Sequence, residues 1–164
     1  NRYGETFVVP QIFTTKLASR IMDLQNPLQK MDKSTSNPKG CIYLTESLTS
    51  IKKKIKSAVT DSEGIVKYDR ENKPGIANLM TIYASISNLS FEEIEKKYHN
   101  IGYGVFKNDL AELVEKEIAP IQEAFHKWYN SNELDVILDE GKARASMFAR
   151  SNLNKIYKKM GIGR

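Results

Sequence analysis

The sequence predicts a mainly α-helical protein in which a small mixed segment, residues 1–46, precedes a bundle of four or five helices. Three observations carry this reading. Apolar runs before residue 46 are short and are separated by Pro, Asn and Gly; beyond it, apolar residues recur at helical spacing; and start and stop signals bracket the helical stretches. At 164 residues the chain suffices for one domain with a substantial core, or for two small ones packed together. Its 40% hydrophobic and 27% charged residues mark it as globular rather than disordered.

In the mixed segment, residues 7–9, 20–24 and 41–44 read as brief strands between loops. Ser47 then caps a helix running to about Ala58, with Leu48, Ile51, Ile55 and Ala58 on one side and Lys52, Lys53 and Lys56 on the other. Residues 60–64 break it, and 65–73 read as an extended loop. Pro74 opens the next helix, where its missing N–H costs nothing, and Ile76, Leu79, Met80, Tyr83 and Ile86 form a stripe that needs a partner surface. Ser90 and Glu93 have the spacing of a capping box for a short helix ending near Tyr98. Gly102 and Gly104 flank a turn. A long helix follows from about Phe106, directing Leu110, Leu113, Ile118, Ile121, Phe125 and Trp128 inward, with a kink expected at Pro120. The last helix covers roughly 133–160, with Gly141 as its weak point and Gly161 as its stop.

Charge and composition narrow the function classes. The formal charge is +5, and residues 141–164 carry seven Lys or Arg and no Asp or Glu. A second basic concentration is Lys52, Lys53, Lys54 and Lys56. Each is either a face for a polyanion or a solvated helix face. The single cysteine, Cys41, excludes an internal disulfide framework, and His99 and His126 lack metal-ligand spacing, so no protein-held metal site is expected. No apolar run approaches a membrane span and no signal-peptide pattern opens the chain; the expected compartment is the cytoplasm. The segment 29–40, QKMDKSTSNPKG, holds Lys30 and Lys33 among Ser, Thr, Asn, Pro and Gly. A loop offering two ammonium groups, hydroxyls and free backbone N–H groups suits an anion, most obviously phosphate.

Residues 30–34, KMDKS, resemble the KMSKS loop of class I aminoacyl-tRNA synthetases, with Asp32 in place of the first serine. The runs 57–64 (SAVTDSEG), 73–79 (KPGIANL), 102–106 (GYGVF) and 120–123 (PIQE) occur in the order seen in the bacterial tryptophanyl-tRNA synthetases. On this basis the whole chain resembles the carboxy-terminal half of that family. The resemblance implies that residues 1–46 are the edge of a nucleotide-binding α/β fold carrying the KMSKS loop. Residues 47–164 would be an α-helical anticodon-binding bundle whose last helix is free to return to the first domain.

It further implies an ATP site at Ile21, Lys30, Met31, Asp32, Lys33 and Ser34, with Mg2+ accompanying the nucleotide. Lys30, Lys33 and Ser34 would act on the β and γ phosphates. Met31 would lie beside the adenine, which the backbone of Ile21 would meet; for Ile21, plain core packing is the other reading. Asp32 is expected to point away from the phosphates, because a like-charge contact near 4 Å costs roughly 4 kcal/mol at an effective dielectric of about 20. The implied partners are tryptophan, ATP and tRNA(Trp), in a homodimer.

Three consequences of the resemblance concern the chain as given. The HIGH signature, the tryptophan pocket and most of the parallel sheet are expected to lie outside it, so that it makes no adenylate alone and is a candidate monomer. Residues 99–103, HNIGY, superficially match HIGH but follow the KMSKS loop, which is the wrong order, and are read as an interhelical turn. For the RNA, Tyr98, His99, Tyr103, Arg144, Arg150, Lys155 and Lys158 are available, with packing inside the bundle as the other reading of each aromatic, while Phe125 and Trp128 are assigned to the core and His126 to the surface or an interface. Two alternatives remain: the sister tyrosine enzymes, which share the loop chemistry but fit residues 57–78 less well, and a free-standing RNA-binding helical module.

Overall fold

The computed structural model describes residues 2–14, 18 and 20–162. They form five helices: α1 (Leu48–Lys56), α2 (Pro74–Ser87), α3 (Phe91–Lys97), α4 (Tyr103–Tyr129) and α5 (Glu133–Met160). The mainly α expectation is met. The brief strands are not: among the described residues the extended segments contribute one isolated antiparallel bridge, Met22 with Lys30, and a 3-10 turn at Pro38–Gly40. A strand needs a neighbour for its backbone N–H and C=O groups. Residues 7–9 have none among the described residues, and Val8 is 95% exposed.

The described chain divides into two compact units, Thr14–Ala124 and a smaller one of Asn1–Phe13 with Phe125–Arg164. In the larger unit, local signals and burial agree. The Ser47 side chain accepts from the Ser50 N–H to cap α1, and Ile51 and Ile55 enter the core. Ten consecutive α2 residues, 75–84, are buried, which a helix attains only when it is surrounded. Gly75 is dictated by space, since a Cβ there would meet the Val59 carbonyl oxygen at 2.2 Å. Both halves of the predicted capping box on α3 are formed.

Tyr83, Tyr98 and Phe106 meet as an aromatic triad with ring centroids 5.0 to 5.8 Å apart, uniting α2, the end of α3 and α4. Tyr98 donates to the Asp109 carboxylate at 2.7 Å. Desolvation, with the Tyr83 and Asp109 bonds, pushes its pKa upward, so it remains a donor.

α4 begins three residues earlier than the apolar spacing suggests, so Gly104 lies inside its first turn, and its helical run continues through Pro120. Leu110 and Ile118 are buried and Leu113 is partly so, as expected. Ile121, Phe125 and Trp128 are not core residues: they are 45%, 41% and 38% exposed. A 27-residue helix is about 40 Å long, and its last buried residue is Ile118; the apolar spacing continues after the core of the larger unit has ended.

In the smaller unit, α5 has no buried residue among those described. Its ends are well formed all the same. Glu133 and Asp135 occupy the first turn, Lys158 and Lys159 the last, which suits the helix dipole. Gly161 closes the helix at φ 68, a left-handed conformation for which glycine needs no side-chain accommodation.

Candidate functional site

The lysine loop is rooted in a segment that the core holds from two sides. Asn78, buried on α2, accepts from the Met22 N–H at 2.8 Å and donates through its amide to the Met22 carbonyl at 2.8 Å. The Leu24 N–H donates to the Gly40 carbonyl at 2.9 Å, and the Leu24 carbonyl accepts from the Val59 N–H at 2.8 Å. At Gly40 a Cβ would overlap the Asp23 carboxylate, 2.0 Å from one oxygen, so a larger residue would have to displace that side chain. That carboxylate accepts from the N–H groups of Gln25 and Asn26 at 2.7 and 2.9 Å, turning the chain. Two backbone bonds, from the Asp23 N–H to the Gln29 carbonyl and from the Met31 N–H to the Ile21 carbonyl, close the base of the loop at 2.8 and 3.0 Å.

Above this base the side chains separate by role. Ile21 and Met31 are half-buried and pack against the core. Lys30, Asp32, Lys33 and Ser34 are exposed, and among the described residues neither lysine forms an ion pair. Asp32 does not stand idle: its carboxylate accepts from the Ser34 N–H at 2.8 Å. One of the backbone donors counted toward an anion is therefore already engaged. The Lys33 carbonyl in turn accepts from the Tyr43 hydroxyl at 3.2 Å. Further along, the Thr35 hydroxyl accepts from the Asn37 N–H, and the Asn37 side chain accepts from the Lys39 N–H, both at 3.2 Å. Chemically the loop presents two uncompensated cations and a hydroxyl on a tethered backbone, a donor set that fits polyphosphate.

Two of the four lysines in the second cluster are committed to the fold, while Lys53 and Lys56 remain exposed. Lys54 is buried, donates to the Cys41 carbonyl and to Glu46 at 2.8 Å each, and lies 4.9 Å from the centre of the Tyr43 ring. Burial alone would raise the Glu46 pKa, but Lys54, the Tyr43 N–H and the Ser50 hydroxyl outweigh it and the net shift is downward. Lys52 pairs with Glu115 at 2.7 Å. Cys41 is a buried free thiol whose pKa is raised, chiefly by desolvation.

A further network, unforeseen in sequence, joins the 57–64 run to α2 and α4. Lys73 is buried and contacts Glu63 at 2.6 Å and Asp61 at 3.3 Å, and the Tyr103 hydroxyl lies 2.8 Å from Asp61. Desolvation and Asp61 push Tyr103 up to about 12. Of the residues considered for RNA, Tyr98 is buried in the triad and Tyr103 is half-buried in this network. His99, Arg144, Arg150, Lys155 and Lys158 are exposed, as is His126. Residues 98–102 connect α3 to α4, with Asn100 at φ 56.

Residues 1–119 match the model of the class I tRNA synthetases of the W and Y type, and the chain belongs to that family. It is 50% identical over 163 residues to the tryptophan–tRNA ligase of Bacillus subtilis, covering 99% of this chain and 49% of that protein. To the tryptophan–tRNA ligase of Listeria monocytogenes it is 47% identical, again over 99% of this chain and 49% of the relative. The solved tryptophanyl-tRNA synthetase of Mycoplasma pneumoniae superposes with a TM-score of 0.82 at 30% identity, over 91% of this chain and 45% of that one. The chain thus spans about half the length of the curated relatives it matches.

Proposed function

We propose that the chain forms the carboxy-terminal half of a tryptophan–tRNA ligase, contributing the loop that handles ATP phosphates and a helical domain for tRNA(Trp). The family covers enzymes for both tryptophan and tyrosine; the relatives reported above, at 47 to 50% identity, are tryptophan enzymes and favour that substrate. In the parent reaction the tryptophan carboxylate attacks the α-phosphorus of Mg2+-bound ATP. The bond to the bridging oxygen breaks, and pyrophosphate leaves with its electron pair. A ribose hydroxyl at the tRNA terminus then attacks the adenylate carbonyl and displaces AMP.

Lys30 and Lys33 would neutralise charge accumulating on the departing β and γ phosphates, Ser34 would donate a hydrogen bond, and Ile21 and Met31 would border the adenine. Residues 1–46 would then belong to the catalytic domain and 47–164 to the tRNA-binding domain. The same reading places the protein in the cytoplasm as a homodimer. No described helix is long and apolar enough to cross a membrane.

The single observation that carries the reading is the pair of exposed lysines, without an ion-pair partner among the described residues, on a loop whose base is fixed by buried groups. A cation aimed at charge that develops in the transition state lowers the barrier more than it improves ground-state binding. In the full-length protein, Lys33→Ala is therefore expected to reduce kcat for tryptophan-dependent ATP–pyrophosphate exchange about a hundredfold, with a change in KM for ATP of only a few fold. Exchange at an unchanged rate would overturn the assignment.

A further inference from the structure

The Lys33–Ser34 peptide unit is held at both of its polar ends. Its carbonyl accepts from the Tyr43 hydroxyl at 3.2 Å, and its N–H donates to the Asp32 carboxylate at 2.8 Å. Rotation of this peptide plane requires both bonds to break. Fixing this plane fixes ψ of Lys33 and φ of Ser34, the two soft dihedrals that place the Lys33 and Ser34 frames relative to each other.

Tyr43 is itself anchored. Its N–H donates to Glu46 at 3.1 Å, and its ring lies under the Lys54 ammonium at 4.9 Å. Glu46 also accepts from Ser50 on α1 at 2.9 Å. Gln122 on α4 donates to the carbonyls of Leu44 and Glu46 at 2.7 Å each, fixing the backbone that follows Tyr43. The hydroxyl is a donor at neutral pH, as for any tyrosine, and desolvation, then Cys41, raises the Tyr43 pKa further.

We infer that Tyr43 is a positioning residue for the loop, aiming the Lys33 ammonium by clamping the Lys33–Ser34 peptide between its hydroxyl and Asp32. The inference rests on the function proposed above and assigns a role to a residue outside the KMDKS run. A neutral hydrogen bond of this kind has an effect of about fivefold. Tyr43→Phe removes the hydroxyl and leaves the ring beneath Lys54, so the fold is retained.

The test is a double-mutant cycle in the full-length protein, read by tryptophan-dependent ATP–pyrophosphate exchange. Tyr43→Phe is expected to lower kcat about fivefold, with KM for ATP within twofold and thermal unfolding nearly unmoved. In a Lys33→Ala background the same change should have no further effect on kcat, since the group being aimed is gone. Full activity of Tyr43→Phe would overturn the inference, as would an equal loss in both backgrounds, which would show that Tyr43 does not act through Lys33. Should Lys33→Ala itself exchange normally, the proposed function fails, and the clamp fails with it.

Discussion

Lys33 and Lys54 carry the same side chain and lie close in sequence, yet the structure gives them opposite environments. Lys33 is exposed on a loop without a carboxylate partner among the described residues, whereas Lys54 is buried against Glu46 and the Cys41 carbonyl. Lys73 repeats the second pattern with Glu63 and Asp61. A lysine taken from water needs a counter-charge and acceptors, and it then belongs to the architecture. A lysine left in water beside no carboxylate keeps its charge available for a ligand. The difference separates the groups that build the site's support from those proposed to meet phosphate.

The contrast yields effects of descending size. Lys54→Ala should be the most damaging, costing about 3 kcal/mol, because it leaves a half-buried carboxylate short of its cation. Glu46 keeps two other donors, the Tyr43 N–H and the Ser50 hydroxyl, which holds the loss to the lower end of the usual range. Urea unfolding monitored by circular dichroism measures it, and a loss below about 1 kcal/mol would erase the distinction.

Acid should come next. Glu46 and Asp61 both have folded pKa values below their ordinary 4.5 and 3.8. For Asp61, burial opposes the shift, and the Tyr103 hydroxyl, the Glu63 N–H and Lys73 outweigh it. A carboxyl with a depressed folded pKa adds stability above its unfolded value and loses it as pH falls through the folded one. Stability should therefore decline from about pH 4.5 downward, and less steeply in a Glu46→Gln, Asp61→Asn variant; identical slopes would remove these carboxylates from the account. Smallest of all, Lys30→Ala and Lys33→Ala should each alter unfolding by no more than about 0.5 kcal/mol, as exposed substitutions without partners do. A loss at Lys33 comparable to that at Lys54 would show that the loop lysine is structural.

Much of the support was legible in sequence, though not always read. Ser47, Pro74, the Ser90 and Glu93 pair and Gly161 each mark a helix boundary through local chemistry, and each does so in the structure. Lys54 carried a signal too: it lies three residues after Ile51 and one before Ile55, on the apolar side of α1 rather than with Lys53 and Lys56. Trp128 and Phe125 show the converse, helical apolar spacing on residues that are 38% and 41% exposed. Tyr43 left no trace, since its partner is a backbone carbonyl ten residues away. Asn78 lay in the family-like run 73–79, but nothing local says that its amide would hold Met22 at a separation of 56 residues.

Local chemistry thus determined where helices begin and end and which loop gathers cations, because caps, turns and apolar period act over a few neighbouring residues. Which lysine is buried, which aromatic is core and what steadies the Lys33 carbonyl were decided only by the tertiary fold. Those properties depend on groups distant in sequence meeting across removed water, and a one-dimensional pattern does not specify such meetings.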